Sequence, residues 1–238
     1  MLLEVNNIHT YYGDSHILQG VSFDVQEGEI VCLLGRNGVG KTTTLKTIMG
    51  LVPPKQGSIK FKGLEISGWP PHLISKLGIS YVPQERHIFP ELTVMENLSL
   101  APNLGKISRE LRNQKLNEVF DLFPFLKERK NQLASSLSGG EQRILSLAST
   151  LLGEFKLLLL DEPFTGLSPL LTAKFQRLLK QINEEKGISI LLVEQRALQA
   201  LEIANRCYIM NKGVIVFEAS SESAKKSDEL RSLLGVRL

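Results

Sequence analysis

Cysteine is scarce, histidine nearly so, and no apolar run comes near the thickness of a bilayer. The 238 residues hold two cysteines, Cys32 and Cys207, far apart along the chain in apolar segments. Both read as small buried hydrophobes, which excludes a disulfide-stapled secreted fold and suits a reducing compartment. The four histidines, His9, His16, His72 and His87, show no ligand spacing, which excludes a zinc site. Aliphatic runs such as Leu157–Leu160 fall far short of the roughly 18 residues that cross a bilayer. The opening MLLEVNNIHT has neither a basic start nor a long apolar core, so no secretory leader is expected. An excess of one charge is missing too: 28 Lys and Arg against 25 Asp and Glu leave +3. With no basic block in addition, nucleic acid is not an expected partner. What remains is 42% hydrophobic and 22% charged, which excludes collagen-like, low-complexity and disordered chains. The length suits one large domain or two small ones.

Strands dominate the first third. Leu2–His9 and His16–Val25 alternate in part and are separated by a turn at Tyr12-Gly13-Asp14. Ile30–Leu34 is continuously apolar, as in a strand covered on both faces. A glycine-rich loop and a helix over Lys41–Met49 follow, stopped by Gly50 and Pro53-Pro54. Ile79–Pro83 reads as a further strand. Ser108–Arg129 is helical, with Ser108 as cap and Leu111, Val119, Leu122 and Phe123 as its apolar stripe. Gly139–Leu152 is a second helix. From there strands at Lys156–Leu160, Ile188–Val193 and Cys207–Met210 alternate with helices at Leu170–Glu185 and Arg196–Ala204. That alternation implies a largely parallel α/β sheet, closed by a hairpin through Asn211-Lys212-Gly213 to Val214–Phe217. A single domain is expected, with a helical insertion at about 85–155 and one or two short helices over 220–238.

Three motifs carry chemistry. Gly35-Arg36-Asn37-Gly38-Val39-Gly40-Lys41-Thr42 has the spacing of a phosphate loop between strand and helix. Its glycines let backbone N–H groups turn toward phosphate oxygens at the positive end of a helix. Lys41 then reaches the β- and γ-phosphates, and the Thr42 hydroxyl, followed by Thr43, binds Mg²⁺. Leu157–Leu160 delivers Asp161 and Glu162 at the carboxyl end of a strand: Asp161 toward the same Mg²⁺, and Glu162 as a general base for water. Leu137-Ser138-Gly139-Gly140-Glu141-Gln142 forms a second anion cradle at a helix start. One nucleotide does not need two cradles from one chain, so each is expected to complete a partner's site.

In this order the three motifs resemble the ATP-binding subunit of an ABC (ATP-binding cassette) transporter, over essentially the whole chain. The resemblance implies a P-loop NTPase ABC ATPase fold: a mixed, mostly parallel sheet core, a small antiparallel β subdomain and an inserted α-helical subdomain. It implies ATP and Mg²⁺ as ligands and places Tyr12 on the adenine and Gln84 on the Mg²⁺. Ser138, Gly139, Gly140 and Gln142 then contact the nucleotide held by the opposite subunit. Gln195 stands where most members have a histidine near the γ-phosphate, and Ser168 where many have an aspartate. A glutamine can donate a hydrogen bond but cannot titrate, so hydrolysis is expected to lack a histidine-type limb at about pH 6.5.

GRNGVGKTTTLKTIMGL together with LLVEQ is similar to the branched-chain amino acid branch of that family, with urea- and amide-importing relatives close by. The resemblance implies a motor on the cytoplasmic face of the cell membrane, working with two multi-span permease subunits and, indirectly, a substrate-binding protein. Its second cassette is either a related chain, which the branch favours, or a copy of itself. Glu85–Asn97, following Gln84, is expected to pass motion to the permeases. Within it Ile88, Phe89, Leu92 and Val94 are docking contacts or ordinary core. The rivals are a soluble ABC-type ATPase acting on ribosomes or DNA, and a regulatory protein that binds ATP without turnover. A single cassette without heptads or basic blocks speaks against the first, and Glu162 against the second.

Overall fold

The computed structural model describes residues 1–84, 88–101 and 107–227. β1 (Leu3–Tyr12) and β2 (Ser15–Val25) turn their alternate apolar side chains inward and pair antiparallel. β1 runs three residues past His9 because its outer rows still pair, Tyr11 with His16 and Tyr12 with Ser15. β3 (Ile30–Leu34) is buried at every position, as its unbroken apolar run requires. α1 (Lys41–Ile48) follows the glycine loop. β4 (Gln56–Phe61), β5 (Leu64–Glu65) and α2 (Pro71–Lys76) lie in a stretch that the sequence leaves unassigned. β4 buries only Ile59 and Phe61, too few to mark a period. β6 (Ile79–Val82) completes this part.

α3 (Val94–Ser99) comes next. The helix expected over Ser108–Arg129 is two, α4 (Arg109–Leu122) and α5 (Pro124–Glu128). Ser108 caps α4 by accepting Leu111 N, and Phe123 ends it at φ −131° and ψ 72°. Proline 124 is the cause: it lacks the N–H that would continue the helix and pushes the preceding residue out of helical geometry. A 3-10 turn at Ala134–Ser136 precedes α6 (Gly139–Leu151). β7 (Leu157–Asp161), α7 (Pro169–Lys186), β8 (Ser189–Glu194), α8 (Ala197–Leu201), β9 (Arg206–Asn211), β10 (Val214–Ser220) and α9 (Ser221–Lys226) complete the described elements. The short helices expected over 220–238 reduce to α9 among the described residues, and 228–238 lie outside them.

The chain divides into two compact units: Met1–Tyr81, Phe155–Phe164 and Leu179–Leu238 in one, Val82–Glu154 and Thr165–Leu178 in the other. The first holds a four-stranded sheet in the order β2-β1-β4-β5; a six-stranded sheet runs β10-β9-β3-β8-β7-β6. β3 is parallel to β8 and β9, and β7 to β8, whereas β10 returns antiparallel to β9. The returning turn has positive φ at both Lys212 and Gly213, which suits the twist of a two-residue hairpin. One core joins the two sheets, with Leu3, Val5 and Leu18 packed in the same cluster as Leu33, Leu45, Leu159 and Val193.

Register determines what the parallel strands deliver. Leu34 pairs with Glu194 and Asp161 with Val193, so the loops after β3, β7 and β8 leave the sheet at one edge. Such a carboxyl edge is where open α/β sheets bind ligands. Cys32 and Cys207, distant in sequence, are direct partners across β3 and β9, and both are fully buried.

The second unit contains α3 to α6 and the first turns of α7. Its entry loop is built around buried Asn97, whose Oδ1 accepts Phe89 N at 2.7 Å. The Asn97 amide donates to Phe89 O, Leu92 O and Thr93 O at 3.0, 3.3 and 2.9 Å.

Candidate active site

The phosphate loop starts where β3 ends, and close packing explains its glycines. A Cβ at Gly35 would fall 2.5 Å from Met210 O, and one at Gly40 2.8 Å from Leu18 Cδ2. Gly40 also sits at φ 113°, a conformation glycine adopts freely. It caps α1 without a side chain, so the first-turn N–H groups of that helix keep no side-chain acceptor. A helix start of this kind attracts anions through its exposed donors and its dipole. Arg36, Asn37 and Gly38 are exposed; Val39 and Thr43 are buried and anchor the loop and helix to the core.

Lys41 is 5% exposed and folds back over this loop, donating to Gly35 O at 2.9 Å and Arg36 O at 3.1 Å. Its Nζ lies 3.7 Å from Glu162 Oε1. Burial lowers the Lys41 pKa, while the charges of Glu162, Asp161 and Glu194 work to raise it. Thr42 donates its hydroxyl to Asp161 Oδ1 at 2.9 Å, and Tyr81, on β6, donates to Asp161 Oδ2 at 3.1 Å. Burial holds the Asp161 carboxyl above its ordinary range against both hydrogen bonds, which pull it down. Glu162 follows with φ +47°, and its N–H donates to Val193 O at 2.9 Å.

The loop after β8 brings Gln195 to the same edge with its side chain exposed. Its backbone N–H donates 3.2 Å to Glu194 Oε2. Tyr12, 46% exposed at the end of β1, presents an aromatic surface rather than a core ring. Thus the expected residues Lys41, Thr42, Asp161 and Glu162 are linked by direct contacts. Tyr81 and Glu194 are additions that sequence reasoning missed. Each is a polar side chain in a mostly apolar strand, and the run Leu191-Leu192-Val193-Glu194 reads as plain core until burial and partners are known.

In the second unit Ser138 caps α6 in a reciprocal box. Its hydroxyl accepts Glu141 N at 3.4 Å, and Glu141 Oε2 accepts Ser138 N at 2.9 Å. Arg129 pairs with Glu141 at 3.2 Å and holds that carboxylate in place. Ser138 and Gly139 are exposed. A Cβ on Gly140 would fall 2.7 Å from Leu171 Cδ1, which fixes glycine there. Gln142 departs from its expected place on that surface. It is buried, and its amide donates to Ala134 O at 3.0 Å, so it braces the turn before α6.

Gln84 is exposed and accepts from Arg143 Nη2 through its backbone carbonyl at 3.1 Å. Of the expected docking residues Phe89 is 59% exposed, Ile88 and Leu92 are half-buried, and Val94 is fully buried core. Glu85 lies outside the described residues. No helix among the described residues is long and apolar enough to cross a membrane.

Residues 18–165 match the family described as ABC transporter. The chain is 38% identical to the high-affinity branched-chain amino acid transport ATP-binding protein BraG of Pseudomonas aeruginosa, over 97% of both chains. It is 34% identical to the lipopolysaccharide export system ATP-binding protein LptB of Haemophilus influenzae, over 97% of this chain and 95% of that one. Among solved structures, a dimeric ATP-binding cassette in a post-hydrolysis state with ADP and Pi superposes with a TM-score of 0.82 at 26% identity. That match covers 92% of this chain and 99% of the other.

Proposed function

The chain belongs to the ABC transporter family and is an ATP-binding, ATP-hydrolysing cassette, and from that premise we propose that it powers uptake of branched-chain amino acids through membrane permease subunits. The observation that carries the motor assignment is the contact set Lys41–Glu162 and Thr42–Asp161 beside an uncapped helix start. Likeness to BraG over nearly the full chain supports the cargo.

Lys41, the loop N–H groups and the start of α1 would hold the β- and γ-phosphates of ATP, with Tyr12 against the adenine. The Thr42 hydroxyl and the Asp161 carboxylate, 2.9 Å apart, offer the all-oxygen set that a small hard cation takes. These two residues would hold Mg²⁺, and the family likeness adds Gln84. The cation supplies charge neutralisation on the phosphate oxygens. Glu162 orients and deprotonates the attacking water, Lys41 offsets charge on the γ-phosphate, and the Gln195 amide donates to it. Ser138, Gly139 and Gly140 complete the site of a second cassette, so that two bound nucleotides favour the closed pair. That second cassette is a related chain, and the pair works on the cytoplasmic face of the membrane, with a substrate-binding protein supplying the cargo.

Replacing Glu162 with Gln tests the motor: hydrolysis falls by at least about a hundredfold while ATP binding persists. A wild-type rate in that variant overturns the base assignment. For the cargo, permeases and cassettes reconstituted in liposomes with a binding protein take up labelled leucine, and unlabelled urea does not compete. The likeness to LptB supports a second reading, a motor for lipid export; ATP-driven lipid extraction without leucine uptake would establish it.

A further inference from the structure

Glu194 is the residue on which the three loops of this edge converge, although none of the three chemistry-bearing motifs contains it. It is fully buried at the end of β8. Its backbone carbonyl accepts Gly35 N, the first residue of the phosphate loop, at 3.3 Å. Its Oε1 accepts Phe164 N at 2.9 Å, in the turn that carries Glu162, and its Oε2 accepts Gln195 N at 3.2 Å. A carboxylate is buried only where donors replace its lost water, and here the donors are backbone groups of two loops. The acid and the loops therefore fix one another.

We propose that Glu194 is a positioning residue for ATP hydrolysis, holding the Asp161–Phe164 turn and with it the attack geometry of Glu162, while tethering the Gln195 loop. The inference rests on the reading of Glu162 as the base. Glu162 occupies the left-handed region at φ +47°, which costs a residue with a Cβ about 1–2 kcal/mol and needs outside restraint. That restraint brackets it: Glu162 N is held by Val193 O, and Phe164 N, two residues on, by the Glu194 carboxylate.

Ionisation tunes the clamp, because both oxygens must accept. Burial pushes the Glu194 carboxyl up to about 7; the Phe164 N–H opposes this, the charge of Glu162 adds to it, and the N–H groups of Arg196 and Gln195 oppose it. Lys41 on α1 and the neutral Cys32 thiol on β3 also feel the charge of Glu194. Gln195 has nothing to titrate, so the sequence predicts a flat response through neutrality. Glu194, one position earlier, restores a titrating group there.

Glu194→Gln keeps size and shape but turns one acceptor into a donor facing an N–H. ATPase rates across about pH 5.5 to 9, with affinity for a non-hydrolysable ATP analogue, provide the test. The wild type gains activity through an inflection near 7. In the variant kcat falls about tenfold or more, KM stays within about twofold, and the inflection disappears. Glu194→Asp, still ionisable but too short, retains the inflection at reduced kcat and decides the matter if the glutamine variant fails to fold. An unchanged kcat with a persistent inflection in Glu194→Gln overturns the proposal. Wild-type hydrolysis by Glu162→Gln instead overturns the base assignment beneath it.

Discussion

Asp161 accepts a hydroxyl hydrogen bond on each oxygen, from Thr42 on one side and Tyr81 on the other. Thr42 would leave that bond to face the cation, whereas Tyr81 is free of any such duty and continues to orient the carboxylate. Tyr81→Phe is therefore expected to raise the Mg²⁺ concentration for half-maximal hydrolysis about tenfold, the worth of a hydrogen bond to a charged acceptor. Nucleotide binding in chelator stays unchanged, and a Mg²⁺ titration of both signals checks it. Glu194 predicts a stability effect as well. Between its ordinary value of 4.5 and about 7 the folded chain keeps a proton that the unfolded chain releases. Stability from this group is thus lost as pH rises through that window, by on the order of 3 kcal/mol, and is level above it. Urea unfolding at stepped pH should show the decline in the wild type and a flatter curve in Glu194→Gln. Asp24 acts in the opposite sense at lower pH, since hydrogen bonds from Arg206 hold its carboxyl below the usual range. Lys41, Thr42, Asp161 and Glu162 were legible in the sequence because contiguous spacing carries their geometry. Tyr81 and Glu194 were not, because their meaning comes from partners on other strands.

The elements that could be read were those whose burial is uniform or whose caps are local. β3 and the Leu157–Leu160 and Ile190–Val193 stretches of β7 and β8 declare themselves as unbroken apolar runs, and Ser138 with Glu141 three residues later marks the start of α6. β4 and β5 form only by pairing beside β1, a long-range event with little local imprint. The break between α4 and α5 had a local sign, Pro124, which the amphipathic stripe running through it concealed. The reciprocal box on α6 gives Ser138→Ala two separable consequences. Loss of the cap costs about 1 kcal/mol, seen as a fall in Tm of about 2–4 °C for a chain of this size. Loss of the hydroxyl is also expected to remove ATP-driven pairing with the related cassette, which sedimentation of the mixture with and without nucleotide would detect. Gln142→Ala, by contrast, is expected to lower Tm through the lost bond to Ala134 O and to leave pairing intact.

At the scale of the whole molecule, the first unit carries the phosphate loop and the second the exposed Ser138–Gly139 pair, and the proposed function has that pair complete the site of another cassette. With hydrolysis blocked by Glu162→Gln, the chain alone is expected to remain monomeric in ATP. Addition of a related cassette from the same transporter should then yield a one-to-one pair. A stable self-dimer would show instead that two copies of this chain form the motor. The alternation of apolar strands and amphipathic helices was enough to read the parallel sheet, since it reports on which segments are buried, whereas the small antiparallel sheet was implied by the family likeness alone. They said nothing of Cys32 and Cys207 lying side by side, with the Cys32 thiol pushed well above its ordinary value by burial. Because these are the only two thiols of the chain and neither is exposed, a maleimide dye finds no native attachment point until the protein unfolds. One cysteine introduced at exposed Phe89 or Leu198 would therefore take label alone, which makes the unmodified sequence a ready background for spectroscopic rulers.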